Sequence, residues 1–345
     1  MSKRRITIVE LAEELNTTPS TVSRALRGHK GISKGMKERV KELAEKRNYT
    51  VNRMAANLRN GTSKILGVVV PRINRDFFSN CISGIEEIAS LAGYSIIICQ
   101  THDKSEEEKK SVFTLIGSNA AGILISTGST TDDLDYFNET RRLGIPLIFF
   151  DRATKNTAQH KVVVNDELGA YKGVTHLIEQ GYQRIAHFAG AQHIKLYQER
   201  KKGYLDALRD HDIPVDESLI LEGVLKKDEG YEAMTTLMNL PNPPDALFSS
   251  SDYSALGGII KLKEMGIKIP EEMGIVGFSN EMFTSIISPK MTSIDQHSKE
   301  IGNCAVKACL EAIDENTQPH AYKNVVIEPT LIVRESSLRN KLRNK

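Results

Sequence analysis

From Ile65 onward, short apolar runs alternate with helical stretches, and this alternation restricts the fold more than any other feature of the 345-residue chain. The runs ILGVVV, YSIIIC, GILIS, PLIFF and VVVN form one set, and RIAHFAG, ALFSS and GIVGF form a second. A strand that is apolar at nearly every position is buried on both faces, the situation of a parallel sheet covered by helices. Segments such as Asn80 to Ala92, Glu106 to Gly117 and Leu168 to Gln180 read as helices that supply the cover. Two doubly wound parallel sheets are expected, in two lobes with a cleft between them. The length agrees, because single cores stop growing near ~250–300 residues.

The first 64 residues follow a different pattern. The whole chain carries a formal charge of only +2, but this head has fifteen Lys/Arg against six Glu, a balance of +9, while the remainder, with 31 basic and 38 acidic residues, carries −7. A basic head on an acidic body suits a polyanion, whose neutralised phosphates release counterions. Ile8, Leu11, Ala12 and Leu15 recur at helical spacing before Asn16. Thr18 can cap a second helix that starts at Pro19, where the missing N–H costs nothing. That helix can bury only Val22, Ala25 and Leu26, and three residues separate it from Leu15, the spacing of a helix-turn-helix. A third helix over Ser33 to Arg47 turns Met36, Val40, Leu43 and Ala44 inward. Three short helices make a minimal all-α core and leave the polar side of the second free to enter a major groove.

ITIVELAEELNTTPSTVSRALRG, followed by ISKGMKERVKELAEKRNYTVNRMAANLRNG, resembles the DNA-binding head of the LacI/GalR family of bacterial transcription regulators. The resemblance rests on Thr21-Val22-Ser23-Arg24, the Asn48-Tyr49 pair and the segment Asn52 to Leu58, in order over about sixty residues. It implies base-facing positions at Pro19, Ser20 and Arg24, backbone contacts at Thr7, Thr18, Thr21, Ser23 and Asn52, and a DNA-contacting Tyr49. Arg24 suits either a bidentate contact to guanine or a phosphate clamp, whereas Pro19 has no side-chain donor and offers only apolar contact. Residues 52–58 are too few to stay helical alone. In the family this hinge orders on DNA and wedges a leucine between base steps, here Leu58 supported by Ala55. Packing against the body is the other reading of Leu58.

The body resembles the periplasmic-binding-protein-like domain of the same family. The expected organisation is a helix-turn-helix domain over 1–50, a hinge over 51–64, an amino-terminal lobe over 65–163 and 293–323, a carboxy-terminal lobe over 164–292 and 324–337, and a tail over 338–345. Ligands in open parallel sheets bind beyond the carboxyl ends of the strands. That rule selects Pro71, Arg72, Ser126, Thr127, Asp151, Arg152, Asn165, Ser251, Asp252, Ser279 and Asn280. The resemblance adds Phe77 and Phe78 as an apolar wall, Leu225 where an aromatic often covers the ligand, and Arg200, whose Arg-x-x-Gly context matches the family's ligand arginine. A surface salt bridge is the alternative for Arg200, a helix cap for Asp252, and a lobe-to-lobe tie for Asp151. The family commonly has two carboxylates where GFSNE places Ser279 and Asn280. With Arg152 and Arg200 nearby, the expected effector is a sugar, a sugar acid or a sugar phosphate.

The chain has no Gly-x-Gly-x-x-Gly, phosphate-loop, Gly-x-Ser-x-Gly or His-Glu-x-x-His motif, so neither an enzyme nor a cofactor is expected. His187 and His193 are six apart, off a shared helical face, and read as ordinary polar residues. Cys81, Cys99, Cys304 and Cys309 lie singly in apolar surroundings, without metal-ligand spacing, and read as buried reduced thiols. No apolar run approaches the ~20 residues of a membrane span, and Glu10, Glu13 and Glu14 interrupt any secretory core, so a cytoplasmic protein without a membrane partner is expected. Eight residues after Ser337 are too few for a tetramer-forming heptad helix, which favours a homodimer. The expected function is a sequence-specific regulator, a repressor, bound to double-stranded operator DNA and controlled by a small effector. Control by a protein partner, or a solute-binding role, is the alternative.

Overall fold

The computed structural model describes residues 6–49, 63–128, 135–153, 159–314 and 322–339. The chain divides into two compact units, Met1–Ser63 and Lys64–Lys345. The hinge residues Asn52, Ala55 and Leu58 lie outside the described residues.

In the first unit, α1 (Ile8–Glu14), α2 (Pro19–Leu26) and α3 (Lys34–Lys46) each begin at a hydroxyl cap. Thr7 and Glu10 form a reciprocal capping box on α1, and Thr18 Oγ1 accepts the Thr21 amide on α2. Asn16 takes a left-handed φ of 50° at the turn between α1 and α2, and Lys37 Nζ donates to the Gly28 carbonyl at the end of α2. Leu11, Ala12, Leu15, Val22, Ala25, Val40 and Ala44 form the core, with Ile8, Leu26, Met36, Leu43 and Tyr49 packed around it. The expected inward positions are those that meet, and Pro19 opens α2 as its first residue.

The second unit contains two six-stranded sheets. In chain order its elements are β1 (Ile65–Val70), α4 (Asp76–Leu91), β2 (Ser95–Gln100), α5 (Ser105–Gly117), β3 (Gly122–Ile125), α6 (Asp135–Arg142), β4 (Leu147–Phe150), β5 (His160–Val164), α7 (Asp166–Glu179), β6 (Ile185–Phe188), α8 (Lys195–Asp210), β7 (Ile220–Leu221), α9 (Lys227–Met238), β8 (Ala246–Ser249), α10 (Asp252–Glu264), β9 (Gly274–Phe278), β10 (Thr292–Asp295), α11 (Ser298–Asp314), β11 (Asn324–Ile327) and β12 (Thr330–Ile332). The first sheet runs β11-β5-β4-β3-β1-β2 and is parallel throughout. The second runs β12-β10-β9-β8-β6-β7, parallel except where β12 pairs antiparallel with β10. Every apolar run named above contributes a strand, and β1, β3, β8 and β9 are buried along nearly their whole length. No helix among the described residues is long and apolar enough to cross a membrane.

Two lobe boundaries differ from the expectation. β10 pairs with β9, so residues 293–295 belong to the second lobe rather than the first. β11 pairs with β5, so residues 324–327 complete the first lobe rather than the second. Neither segment is a continuous apolar run, and each is assigned by the open sheet edge that satisfies its backbone groups. Of the cysteines, Cys81 and Cys309 are buried, whereas Cys99 and Cys304 are only half-buried. All four are free thiols, and burial raises the pKa of each. His187 is a core residue rather than an ordinary polar one: it is stacked against Tyr204 and Phe248, and burial lowers its pKa to about 4.

Candidate functional site

The head presents its polar residues along α2. Thr18 Oγ1 lies 2.8 Å from Ser20 Oγ and 3.0 Å from Thr21 Oγ1, so the capping hydroxyl also orients both neighbours. Ser23 Oγ accepts from Arg27 Nη2 at 3.1 Å, one turn along the helix. Thr7, Thr18, Ser20 and Arg24 are exposed, while Pro19, Thr21 and Ser23 are half-exposed. Tyr49 differs from this set. It packs against the head's core, and burial raises its pKa.

In the body, the strand ends converge on a cluster of charges. Asp151 follows β4 with a left-handed φ of 60°, a strained turn that brings its Oδ2 within 3.0 Å of Ser126 Oγ at the end of β3. Thr127 closes the same two strands, donating from Oγ1 and from its amide to the Arg152 carbonyl. Arg152 Nη1 reaches Asp103 Oδ1 at 2.5 Å, and Arg72 Nε reaches Asp103 Oδ2 at 3.2 Å, so one carboxylate serves two guanidiniums. Burial raises the pKa of Asp151, opposed by the charges of Arg152 and of Arg200 from the other lobe.

Arg200, on α8, is 4% exposed. Its Nε donates to Asp166 Oδ1 at 2.8 Å, its Nη1 donates to the Ser250 carbonyl at 2.7 Å, and its plane lies 3.6 Å from the Phe278 ring centroid. This is a buried, immobilised guanidinium, not a surface salt bridge. Burial pushes Asp166 up to about 6 despite the ion pair. Tyr197, one turn before Arg200, acts electrostatically on Arg152, as Arg152 and Arg200 do on Asp151, so these four side chains share one environment across the two lobes.

The remaining expected residues divide by role. Ser251 and Asn165 are the helix caps of α10 and α7, accepting the Tyr253 and Leu168 amides. Phe77 and Phe78 meet edge to face at 5.0 Å but are more than nine-tenths buried in the first lobe's core. Leu225 is half-buried and precedes α9. Ser279 Oγ donates to Gln296 Oε1 at 3.0 Å.

Asp252 is neither a cleft ligand nor the cap of its helix, which Ser251 provides. It is fully buried and accepts the Glu281 amide at 2.8 Å and Ser293 Oγ at 2.7 Å. As the first residue of α10 it turns inward to hold the bend after β9. Asn280 is likewise committed, to Asp295 and Arg334. Asp103, Asp166 and Tyr197 were missed by the strand-end reading. Extending that rule past β2 reaches His102-Asp103, extending it one residue past Asn165 reaches Asp166, and the helical spacing i−3 from Arg200 reaches Tyr197. Among the described residues no cluster of His, Cys, Asp and Glu could hold a metal ion.

Comparison with known proteins finds the lacI family of bacterial regulatory proteins matching residues 7–52 and a periplasmic binding protein-like domain matching residues 174–337. The HTH-type transcriptional repressor CytR of Escherichia coli K12 is 31% identical over 332 residues, 96% of each chain. A transcriptional regulator CelR–cellobiose complex is 26% identical with a TM-score of 0.73, covering 96% of this chain and 100% of that one. The lac repressor dimer bound to operator and the anti-inducer ONPF superposes with a TM-score of 0.86 at 23% identity, covering 97% and 100%.

Proposed function

The chain belongs to the LacI family of bacterial regulatory proteins, and from that membership we propose that it represses transcription as a homodimer on operator DNA, under control of a hydroxyl-rich small molecule bound between the lobes. The observation that carries the effector half is the immobilised Arg200, whose charge acts on Asp151 of the opposite lobe, so that a fixed donor fork and an acceptor lie within electrostatic reach of each other. Such a pair suits sugar hydroxyls, which both give and take hydrogen bonds. The described guanidiniums of the cleft, Arg72, Arg152 and Arg200, already face carboxylates, which favours a neutral sugar over a sugar acid or phosphate. The cellobiose held by the CelR relative supports the same class.

The DNA half rests on the exposed flank of α2, where Ser20 and Arg24 are open to solvent and in position to meet base edges. Effector binding can shift the DNA-binding equilibrium only by its differential affinity for the two states of the body. Titration calorimetry with neutral and acidic mono- and disaccharides, followed by gel-shift assays on operator selected from random DNA, tests the proposal. A neutral sugar that binds and changes operator affinity is expected. Binding of acidic sugars alone would overturn the ligand class, and sugar binding without any effect on DNA would overturn the coupling.

A further inference from the structure

Helix α4 begins without a side-chain cap of its own, because Arg75 at its N-cap position makes no capping bond. The amide of Asp76, its first residue, donates instead to Glu281 Oε2 of the other lobe at 3.0 Å. Asp76 Oδ2 in turn accepts the Met282 amide at 2.8 Å. On the same seam the Arg75 guanidinium lies 3.5 Å from the Tyr253 ring centroid. Two carboxylates each satisfy a backbone amide of the opposite lobe, and an orphan helix amide keeps this partner only while the lobes are together.

We propose that the Asp76–Glu281 seam is a proton-linked latch that shifts the body toward its closed form as pH falls. Glu281 is 4% exposed, and its own amide is held by Asp252. The charged groups that face it are Asp76 and Arg75 from the start of α4 and Asp252 from α10, with the Tyr253 phenol beside it. Arg334 lies beyond, toward Asp252. Two carboxylates against one guanidinium disfavour a charge on Glu281. Burial first, with the charges of Asp76 and Asp252, pushes its pKa up to about 7, against the Asp76 amide hydrogen bond and the Arg75 charge, which both favour the carboxylate. Protonation removes the opposition of the two carboxylates and still leaves an oxygen to accept the Asp76 amide.

Opening the seam would return Glu281 to water and to its ordinary value of 4.5. A group that holds its proton more tightly in the closed form favours closure fully below 4.5 and loses that contribution as pH rises through about 7. The closed-to-open ratio should therefore rise about tenfold from pH 8 to pH 6. The ligand cleft is two residues away: Ser279 and Asn280, at φ of 122° and 53°, form the strained bend that joins β9 to Glu281. The latch is a property of the body alone, so it stands or falls independently of effector and operator.

Hydrogen exchange of the full-length protein tests it, by mass spectrometry of peptides spanning 73–79 and 280–285 at pH 6, 7 and 8, corrected for intrinsic exchange. Protection of both peptides should rise about tenfold between pH 8 and pH 6 in the wild type. It should be flat in Glu281→Gln, which is neutral and keeps an acceptor oxygen. A flat wild-type profile, or a response that survives in Glu281→Gln, overturns the latch. Should that variant not fold, Asp76→Asn removes the facing charge and must move the midpoint to lower pH, and an unmoved midpoint overturns it equally.

Discussion

Gly203 stands one turn after Arg200, and a β-carbon built on it would lie 2.1 Å from the carbonyl oxygen of Glu167. Helices α7 and α8 can approach this closely only because position 203 has no side chain. The same approach sets Asp166 against Arg200. The Arg-x-x-Gly pattern thus has a physical content: the glycine seats the helix that carries the arginine. Gly203→Ala should destabilise the second lobe by about 1–3 kcal/mol through overpacking against backbone that cannot yield. It should also weaken effector response beyond that loss. Thermal unfolding and ligand titration of the same variant check both, and an unchanged melting temperature would refute the close approach.

Arg200→Ala should abolish the effector response and leave operator affinity without effector unchanged. It strands Asp166, a buried charge whose partner is gone, at a cost of about 3–5 kcal/mol. Arg200→Ala combined with Asp166→Asn should recover most of that stability but none of the response. Recovery of the response in the double variant would show that the guanidinium does not touch the ligand.

Burial raises Asp252 to about 6, against an ordinary 3.8. Its contribution to stability is fully present below 3.8 and is lost as pH rises through about 6. The stability difference between wild type and Asp252→Asn should therefore change between pH 4 and pH 6, by up to about 1.4 kcal/mol per pH unit, and level off above. Denaturant titrations across this range check the window. A difference that changes only above pH 7 would assign the titration to another group.

On the head, Arg24→Ala should relax base preference at one operator position, with a loss of about 1–3 kcal/mol for the preferred base if the contact is bidentate. Selection from random DNA reads this directly, and uniform weakening across all sequences would mark Arg24 as a phosphate contact. Thr18→Ala should act twice, costing about 0.5–2 kcal/mol of head stability as a lost cap and releasing the Ser20 hydroxyl. A specificity profile unchanged at the Ser20 position would show that this hydroxyl pair is incidental.

The head, the two parallel sheets and the strand-end charges at Asp151 and Arg152 were legible in the residues themselves, whereas Arg200 came only through the family resemblance of its Arg-x-x-Gly context. The former depend on local period, capping chemistry or the end of an apolar run. Thr18, Pro19 and the inward Val22 and Ala25 lie within a few residues of the features they create. The sheet membership of β10 and β11 was not legible, because a short strand joins whichever open edge pairs its backbone, and that edge is built by distant residues. The same limit governs Asp252 and Glu281. Both follow or begin ordinary strand ends, yet one is turned into the lobe core and the other across the seam by partners 29 to 205 residues away. Period and composition determined which elements form, whereas only the packed tertiary structure decided that the apolar β2 lies exposed at the sheet edge, which carboxylates meet arginine, which meet amides of the opposite lobe and which meet one another. The reason is physical: burial and long-range pairing set the energy of a charge, and neither is a property of its neighbours in sequence.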